Sequence, residues 1–333
     1  MRHERVSSAL HIGGMHHDPW RRLDVSMHSP SVLPARTRSR LVMDWLPWLL
    51  PWEWSPAIIL CCALAVGLFA RGVHRERSRG TNTARWRSAL FYLGVALVYV
   101  PLQTRFDYLA QHMFWIHRLQ HLLLHHLAPF FIAWAAPWSL IAAGLPARWH
   151  PALQAVLANP AVRRFYRVLQ HPIVAPVLFV GLIYFWLWPS IHFRAMLSAV
   201  EYRWMNWSMV LDGVLFWWLM LDPRSREAGA QMGFGARIPV VLAVVLPQIL
   251  IGAYLSLHKG TIYDVYAVCG RLWPVQPLTD QEIGGLITWI PASMMSLAAL
   301  LILWARWLHN DALAHARPAH DPLHAPALPG GLR

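Results

Sequence analysis

The feature that most constrains the fold of this chain is a set of five apolar runs that contain no Asp, Glu, Lys, Arg or His. The runs cover residues 54–70, 88–104, 172–191, 238–257 and 283–305. An α-helix needs about 20 apolar residues to cross the hydrocarbon core of a bilayer. Each run is close to that length, so the sequence predicts five membrane-spanning helices.

Two more segments are apolar over most of their surface but carry polar groups. Residues 109–135 contain several histidines, and residues 203–221 contain Asp212. Of the whole chain, 56% is apolar and only 14% is charged. The connections are too short for an inserted soluble domain. We therefore predict an all-α polytopic membrane protein in which residues 43–308 form a bundle of seven transmembrane helices in the lipid bilayer.

The basic residues predict how this bundle is oriented. The net charge is +13, but these residues are scattered through the loops and form no single stripe with interleaved aromatics, which argues against a nucleic-acid partner. Short cytoplasmic loops collect Lys and Arg. The arginines are concentrated between predicted helices 1 and 2, 3 and 4, and 5 and 6. We expect these loops inside, with the N-terminus outside and the C-terminus inside.

The two ends of the chain are polar tails. Residues 1–42 are rich in arginine, which conflicts with an exported N-terminus, whereas the segment from Met43 to the first span has no Lys or Arg. We predict that translation starts at Met43 and that residues 1–42 are absent from the mature protein. Residues 309–333 mix Pro, Ala, Gly and His without an apolar period, which predicts a disordered cytoplasmic tail.

The third predicted helix carries a histidine pair, His117 and His121. Residues four apart on a helix lie about 5–6 Å from each other. Two neutral imidazoles at that spacing can share copper or zinc, and a softer third ligand favours copper. The pair could also hold a haem edge, relay protons, or only hydrogen-bond a neighbouring helix. His125 extends the same face by one turn, whereas His112 and His126 lie off it.

Further polar candidates collect near the same predicted membrane surface. His192 follows the fourth predicted span, and Asp280 and Gln281 open the last one. Asp280 also suits a structural role, because carboxylates complement the dipole at a helix N-terminus. Asp212 lies at mid-membrane, where an ionisable group is expensive and usually functional. We expect it to pair with Arg118 or with a histidine of the third helix.

The chemistry of an enzyme is not indicated. The sequence offers no nucleophile arrangement, no paired carboxylates and no nucleotide-binding loop. Three other classes stay open beside a copper-handling protein: a haem-binding redox protein, a transporter of copper or protons, and a membrane scaffold that binds no metal.

Several motifs, in order along residues 52–310, carry a family resemblance. They are WEWSP (52–56), HRLQHLLL (117–124), LFWW (215–218), LDP (221–223) and DQEIGGLITWIP (280–291). Together they resemble the CtaG-type cytochrome c oxidase assembly factors, which are polytopic proteins of the bacterial inner membrane. Two positions depart from the family pattern: Arg118 stands where Met is usual, and Met205-Asn206 stands where a Glu-His pair is common.

The resemblance implies a role in maturing the haem-copper oxidase, by helping copper reach the catalytic subunit from the outer face. It implies that His117 and His121 hold Cu(I) transiently, with His125 and His192 as further ligands. Asp280 and Gln281 would shape an outer vestibule. The missing histidine at position 206 leaves such a site one donor short, or recruits His192 or Asp212. The implied partners are oxidase subunits and periplasmic copper carriers.

Overall fold

The computed structural model describes residues 55–81 and 83–316, and all regular secondary structure in those ranges is helical. The elements are α1 (Pro56–Ser78), α2 (Arg85–Gln103), α3 (Arg105–His112), α4 (Phe114–His121), a π-helical segment (Leu122–Leu127), α5 (Ala128–Ala135), α6 (Trp138–Gly144), a 3-10 turn (Ala147–Trp149), α7 (His150–Ala158), α8 (Pro160–Leu169), α9 (Val174–Leu187), α10 (Pro189–Leu197), α11 (Ala199–Leu221), α12 (Phe234–Leu257), α13 (Val265–Cys269) and α14 (Pro277–Ala316). The prediction of an all-α chain is confirmed.

Length and composition identify the helices that can cross a membrane. In the described part of the chain α1, α12 and α14 qualify singly, and three bent pairs raise the number to six if each pair is one span. The helix α11 is not among them. Its sequence carries Glu201, Arg203 and Asp212 among apolar residues. The membrane character of the chain is supported, while the count of seven spans and the orientation stay predictions.

Three predicted segments differ from the observed elements. The apolar run at 172–191 is interrupted at Trp188, which is extended, because Pro189 disfavours a helical residue before it. The segment 109–135 is also interrupted, because Met113 has an extended backbone. The helices α7 and α8 occupy a stretch predicted only as a basic connection.

The last helix extends into the segment that the sequence predicts as the C-terminal tail, and the domain boundaries stay predictions. The last helix, α14, continues past position 309 and ends at Ala316. Beyond the apolar part of this helix, Arg306 donates a hydrogen bond to the Leu221 carbonyl oxygen at 2.7 Å. The predictions for residues 1–42, for a start at Met43 and for residues 317–333 lie outside the described residues.

Close helix packing defines the bundle. The helix α12 packs along α14, α1 packs against α6, and α5 packs against both α2 and α11. The largest buried cluster is rich in aromatic side chains, with Phe179 stacked on Phe216 at a centroid distance of 3.9 Å and Trp217 edge-on to both. This cluster lies beneath the π-helical segment, because Phe179 also stacks on His125.

Two glycines let α1 and α6 touch backbone to backbone. A Cβ on Gly72 would lie 1.9 Å from the Leu140 carbonyl oxygen, and one on Gly144 would lie 1.8 Å from the Leu68 carbonyl oxygen. Small residues at such crossings are what allow membrane helices to approach closely.

Replacing Gly144 with Ala is therefore expected to destabilise the protein by about 1–3 kcal/mol or more, because the added methyl group must push two backbones apart. Thermal unfolding in detergent measures the effect. Gly181→Ala is the matched control, since a Cβ there meets nothing within 4 Å. Equal unfolding temperatures for the two variants would contradict the close contact.

Candidate functional site

The predicted histidine pair lies on one continuous helix of the bundle. The elements α4, the π-helical segment and α5 together run Phe114–Ala135, which we name the histidine helix. Met113 precedes it in an extended conformation. Ala136 ends it with a left-handed backbone (φ 47°), and Pro137 then prevents further helix.

Charged side chains from other helices hold both ends of the histidine helix. Asp280 is fully buried and accepts hydrogen bonds from the backbone N–H of Phe114 (3.1 Å) and Trp115 (2.8 Å), while it also pairs with Arg271. At the other end Arg87 donates to the carbonyl oxygens of the last residue and of Ala136, at 2.9 and 3.0 Å. A carboxylate at the N-terminus and a guanidinium at the C-terminus both complement the helix dipole. Asp280 thus stabilises a helix other than its own.

The imidazoles of His117 and His121 lie together inside the bundle. The ring centroids are 4.4 Å apart, and the two residues are 0% and 1% exposed. None of the four ring nitrogens makes a hydrogen bond of normal geometry with the described residues, although the Asn206 amide lies beside His121. Burying a polar group without a partner is unfavourable. The pair therefore presents unused lone pairs or protons to its surroundings.

His192 is brought to the pair from α10. Its ring centroid is 5.2 Å from that of His117. Its Nδ1 lies 3.0 Å from the Trp186 carbonyl oxygen, and its Nε2 lies 3.0 Å from the Tyr266 hydroxyl. A carbonyl oxygen only accepts, so Nδ1 carries the proton and Nε2 accepts from Tyr266. Burial raises the pKa of the Tyr266 hydroxyl well above its ordinary range, which keeps the hydroxyl protonated and able to donate.

Tyr266→Phe is expected to lower the free energy of unfolding by about 1–3 kcal/mol, because the buried Nε2 of His192 loses its donor. Chemical or thermal unfolding in detergent provides the measurement. Tyr254→Phe serves as the control, since Tyr254 is exposed and its hydroxyl has no hydrogen bond in the residues that the structure describes. A Tyr266 variant as stable as the control would show that the bond to His192 is not formed.

A regular helix would place His125 on the face of His117 and His121, but its side chain contacts Asp212 instead. The π-helical segment holds it, with its Nε2 3.1 Å from Asp212 Oδ2 and its ring stacked on Phe179 at 4.1 Å. The expected pairing of Asp212 with a histidine of this helix is confirmed, and the partner is not Arg118. π-Helical turns are frequent at functional sites. His126, which the sequence places off the histidine face, lines a small cavity together with His121 and His125.

The glutamine of the HRLQH motif points away from the histidine pair. Gln120 Nε2 donates to the Pro101 carbonyl oxygen and to Asp107 Oδ1, both at 2.7 Å, and the Tyr202 hydroxyl lies 2.9 Å from the same carboxylate oxygen. Gln111 donates to the other oxygen at 2.8 Å. Sequence reasoning missed this buried network. The signal was Asp107 itself, an acid seven residues before the start of the histidine helix.

Gln281 holds the loop after α12. It accepts from the Ile262 N–H at 2.7 Å and donates to the Gly260 carbonyl oxygen at 3.1 Å. Asp280 and Gln281 thus fix, respectively, the start of the histidine helix and a neighbouring loop. Both side chains are buried, so their visible role is to position other elements.

The site offers a small set of metal donors. Within the described ranges no group of three or more His, Cys, Asp or Glu residues is arranged to hold a metal ion. The histidine pair supplies two imidazoles, and the third, His192, has its free lone pair occupied by Tyr266. The thioethers of Met205 and Met209 are buried in the cluster that contains Phe114, at the start of the histidine helix. The ready nitrogen donors in the described residues are therefore the two imidazoles of the pair.

Comparison with known proteins places most of the chain in one family model. The model described as cytochrome c oxidase caa3 assembly factor (Caa3_CtaG) matches residues 67–310. Uncharacterized proteins of Mycobacterium bovis and Mycobacterium tuberculosis are each 25% identical over 259 residues, covering 74% of this chain and 38% of the relative. The chain thus spans about two-fifths of the length of these curated relatives. No solved structure matches it.

Proposed function

This chain belongs to the cytochrome c oxidase caa3 assembly factor family, and from that membership we propose that it helps to deliver copper to the catalytic subunit of the oxidase. In this proposal His117 and His121 hold Cu(I) transiently, and the ion is cargo. The membership itself implies an oxidase assembly factor without a catalytic role. The identity of the cargo and the mode of transfer belong to the proposal.

The observation that carries the proposal is a pair of buried imidazoles whose four ring nitrogens make no hydrogen bond of normal geometry with the described residues. A purely structural histidine is expected to form at least one hydrogen bond, because an unsatisfied buried polar atom is destabilising. Neutral imidazole is a ligand suited to copper. A cuprous ion between His117 and His121 would bind one ring nitrogen of each imidazole and so give a partner to two of these four atoms.

The donors around the pair favour transient binding. His192 can become a third ligand only when Tyr266 releases its Nε2. In this proposal His117 and His121 bind Cu(I) while His192 stays hydrogen-bonded to Tyr266. Because only two ligands hold the ion, it can be released to a receiving protein. The soft thioethers of Met205 and Met209, both buried, are further candidate donors on α11.

For topology, we retain seven spans with the N-terminus outside, the C-terminus inside and α11 as the fifth crossing. Its charged residues suit that assignment: Asp212 pairs inward with His125, and Glu201 and Arg203 lie near its predicted outer end. The start of the histidine helix then faces the periplasm of a bacterial inner membrane. Copper carriers on that side would supply the ion, and an oxidase subunit in the same bilayer would receive it.

The test is copper in the oxidase assembled by cells that carry His117→Gln/His121→Gln in place of the native chain. We expect the purified oxidase to keep its haem and to lose most of its copper, with partial recovery when excess copper is added to the medium. His74→Gln/His112→Gln is the control, because these two histidines lie outside the site.

The same experiment separates copper delivery from a metal-free scaffold. A scaffold needs only the packing of the bundle, so it would tolerate Gln at both positions. Oxidase with a normal copper content from the His117→Gln/His121→Gln strain would contradict copper delivery and leave the scaffold as the function.

A further inference from the structure

Arg118 is a buried cation next to the histidine pair, and its charge is not neutralised by the described part of the chain. It is 4% exposed, and its Nε donates to Thr288 Oγ1 at 3.0 Å. Across residues 55–81 and 83–316 no carboxylate pairs with it, and no hydrogen bond involves its two terminal nitrogens. A buried charge normally has a paired counter-charge, because desolvation is expensive.

The carboxylates that could have served as counter-ions have other partners. Asp280 binds Arg271 and two backbone N–H groups, and Asp212 binds His125. Asp107 accepts from Gln120 and Tyr202. Two phenols, Tyr263 and Tyr266, also act on Arg118, but a phenol is uncharged at neutral pH, so neither is a counter-ion.

Arg118 and His121 both line a small cavity inside the bundle. It offers about 10 Å³ of space in which a water-sized particle can be centred, which is room for about one water or one monatomic ion. Thr288 and His126 line it together with Arg118. His126 Nδ1 is buried and has no hydrogen-bond partner among the described residues, so it is available as a donor when it carries the ring proton.

We propose that Arg118 and this cavity bind a small monovalent anion such as chloride beside the histidine pair. The lining combines a guanidinium with an imidazole that can donate, and these groups recognise an anion. A second copper ion in the cavity would be repelled by Arg118. A phosphate or a lipid headgroup is too large for space that admits a single water-sized particle.

Thr288 positions the guanidinium for this role. Its hydroxyl accepts from Arg118 Nε and donates to the Gly284 carbonyl oxygen at 2.8 Å, which fixes its direction. The Nε edge of Arg118 is thereby used, and the terminal nitrogens are left for the anion.

A bound anion also has a consequence for copper, and that consequence rests on the function proposed above. Arg118 acts electrostatically on the five histidines that are buried in the described part of the chain, which are His117, His121, His125, His126 and His192. An unneutralised guanidinium repels any cation held there. An anion beside Arg118 cancels that repulsion, so anion binding and Cu(I) binding are expected to reinforce each other.

The anion site is tested on metal-free full-length protein in detergent, by the line width of the chloride-35 NMR signal at constant ionic strength. We expect excess broadening in the native chain that bromide displaces, and a reduction of at least about five-fold in Arg118→Met. Arg118→Lys keeps the charge and is expected to restore part of the broadening. Arg194→Met is the matched control, because Arg194 is exposed.

Thr288→Val provides a second variant if Arg118→Met does not fold, and it is expected to weaken chloride binding while Arg118 stays in place. Absence of displaceable broadening in the native chain, or equal broadening in Arg118→Met and Arg194→Met, would overturn the anion site. Because no copper is present, failure here leaves the copper-delivery proposal untouched, and failure of copper binding leaves the anion site untouched.

Discussion

Replacing His117 and His121 together with Ala is expected to reduce the affinity for Cu(I) by at least about 100-fold, because both ready ligands of the proposed site are removed. The copper content should fall from about one ion per chain to background. Competition with a chromogenic Cu(I) chelator under anaerobic, reducing conditions measures the affinity, and metal analysis gives the stoichiometry. Loss of only the hydrogen-bond partner behind a ligand commonly weakens a metal site by about 10–100-fold, so loss of two ligands should cost at least as much.

The matched control for that variant is His74→Ala/His112→Ala, which removes two histidines outside the site. His125→Ala is informative as a third variant, since His125 is committed to Asp212 and is expected to affect Cu(I) affinity much less. Equal copper content in the native chain and in the His117/His121 variant would contradict the copper site. A haem absorption band in the purified protein would instead support the haem-binding alternative.

Asp280→Ala is expected to destabilise the protein by about 3–5 kcal/mol, the range for breaking a buried ion pair by removing one partner. The substitution leaves Arg271 without its counter-charge and leaves the N–H groups of Phe114 and Trp115 without an acceptor. The start of the histidine helix then loses its anchor, so the Cu(I) affinity of the proposed site should fall with the stability. Thermal unfolding in detergent and chelator competition give the two readouts.

Two companion variants define the cause of that loss. Asp280→Asn keeps one acceptor oxygen but not the charge, so an intermediate unfolding temperature is expected. Glu282→Ala removes another acid from the first turns of α14, and Glu282 makes no ion pair within the part of the chain that has been described. If Asp280→Ala unfolded at the same temperature as Glu282→Ala, the anchoring role of Asp280 would be refuted.

The sequence was most informative where structure follows from local rules. Apolar runs of bilayer length predict helices, because a chain in lipid must satisfy its backbone groups internally. The proximity of His117 and His121 follows from their spacing of four residues, and the observed ring distance of 4.4 Å agrees with it. A partner for Asp212 among the histidines could also be predicted, since a charge inside a membrane bundle faces other polar groups.

Sequence reasoning failed where a single residue changes the path of the chain. A regular helix would place His125 on the same face as the pair, but the π-helical segment turns it towards Asp212 and Phe179. The break at Met113 separates α3 from the histidine helix, so the histidine helix has its own N-terminal turn beginning at Phe114. The spacing of apolar residues along the chain predicts neither the π-helical segment nor the break at Met113.

By itself, therefore, the sequence determined the helical class of this protein, the apolar character of its segments and the closeness of the histidine pair, because these depend on neighbours within one or two turns. Only the tertiary structure decided which residues surround the pair. Asp280 caps a helix that begins 166 residues earlier, and His192 reaches Tyr266 across 74 residues. Arg118 is left without a carboxylate partner in the described ranges. Such contacts arise because helices far apart in the sequence pack against each other in the assembled bundle. Local sequence patterns do not predict which helices pack together.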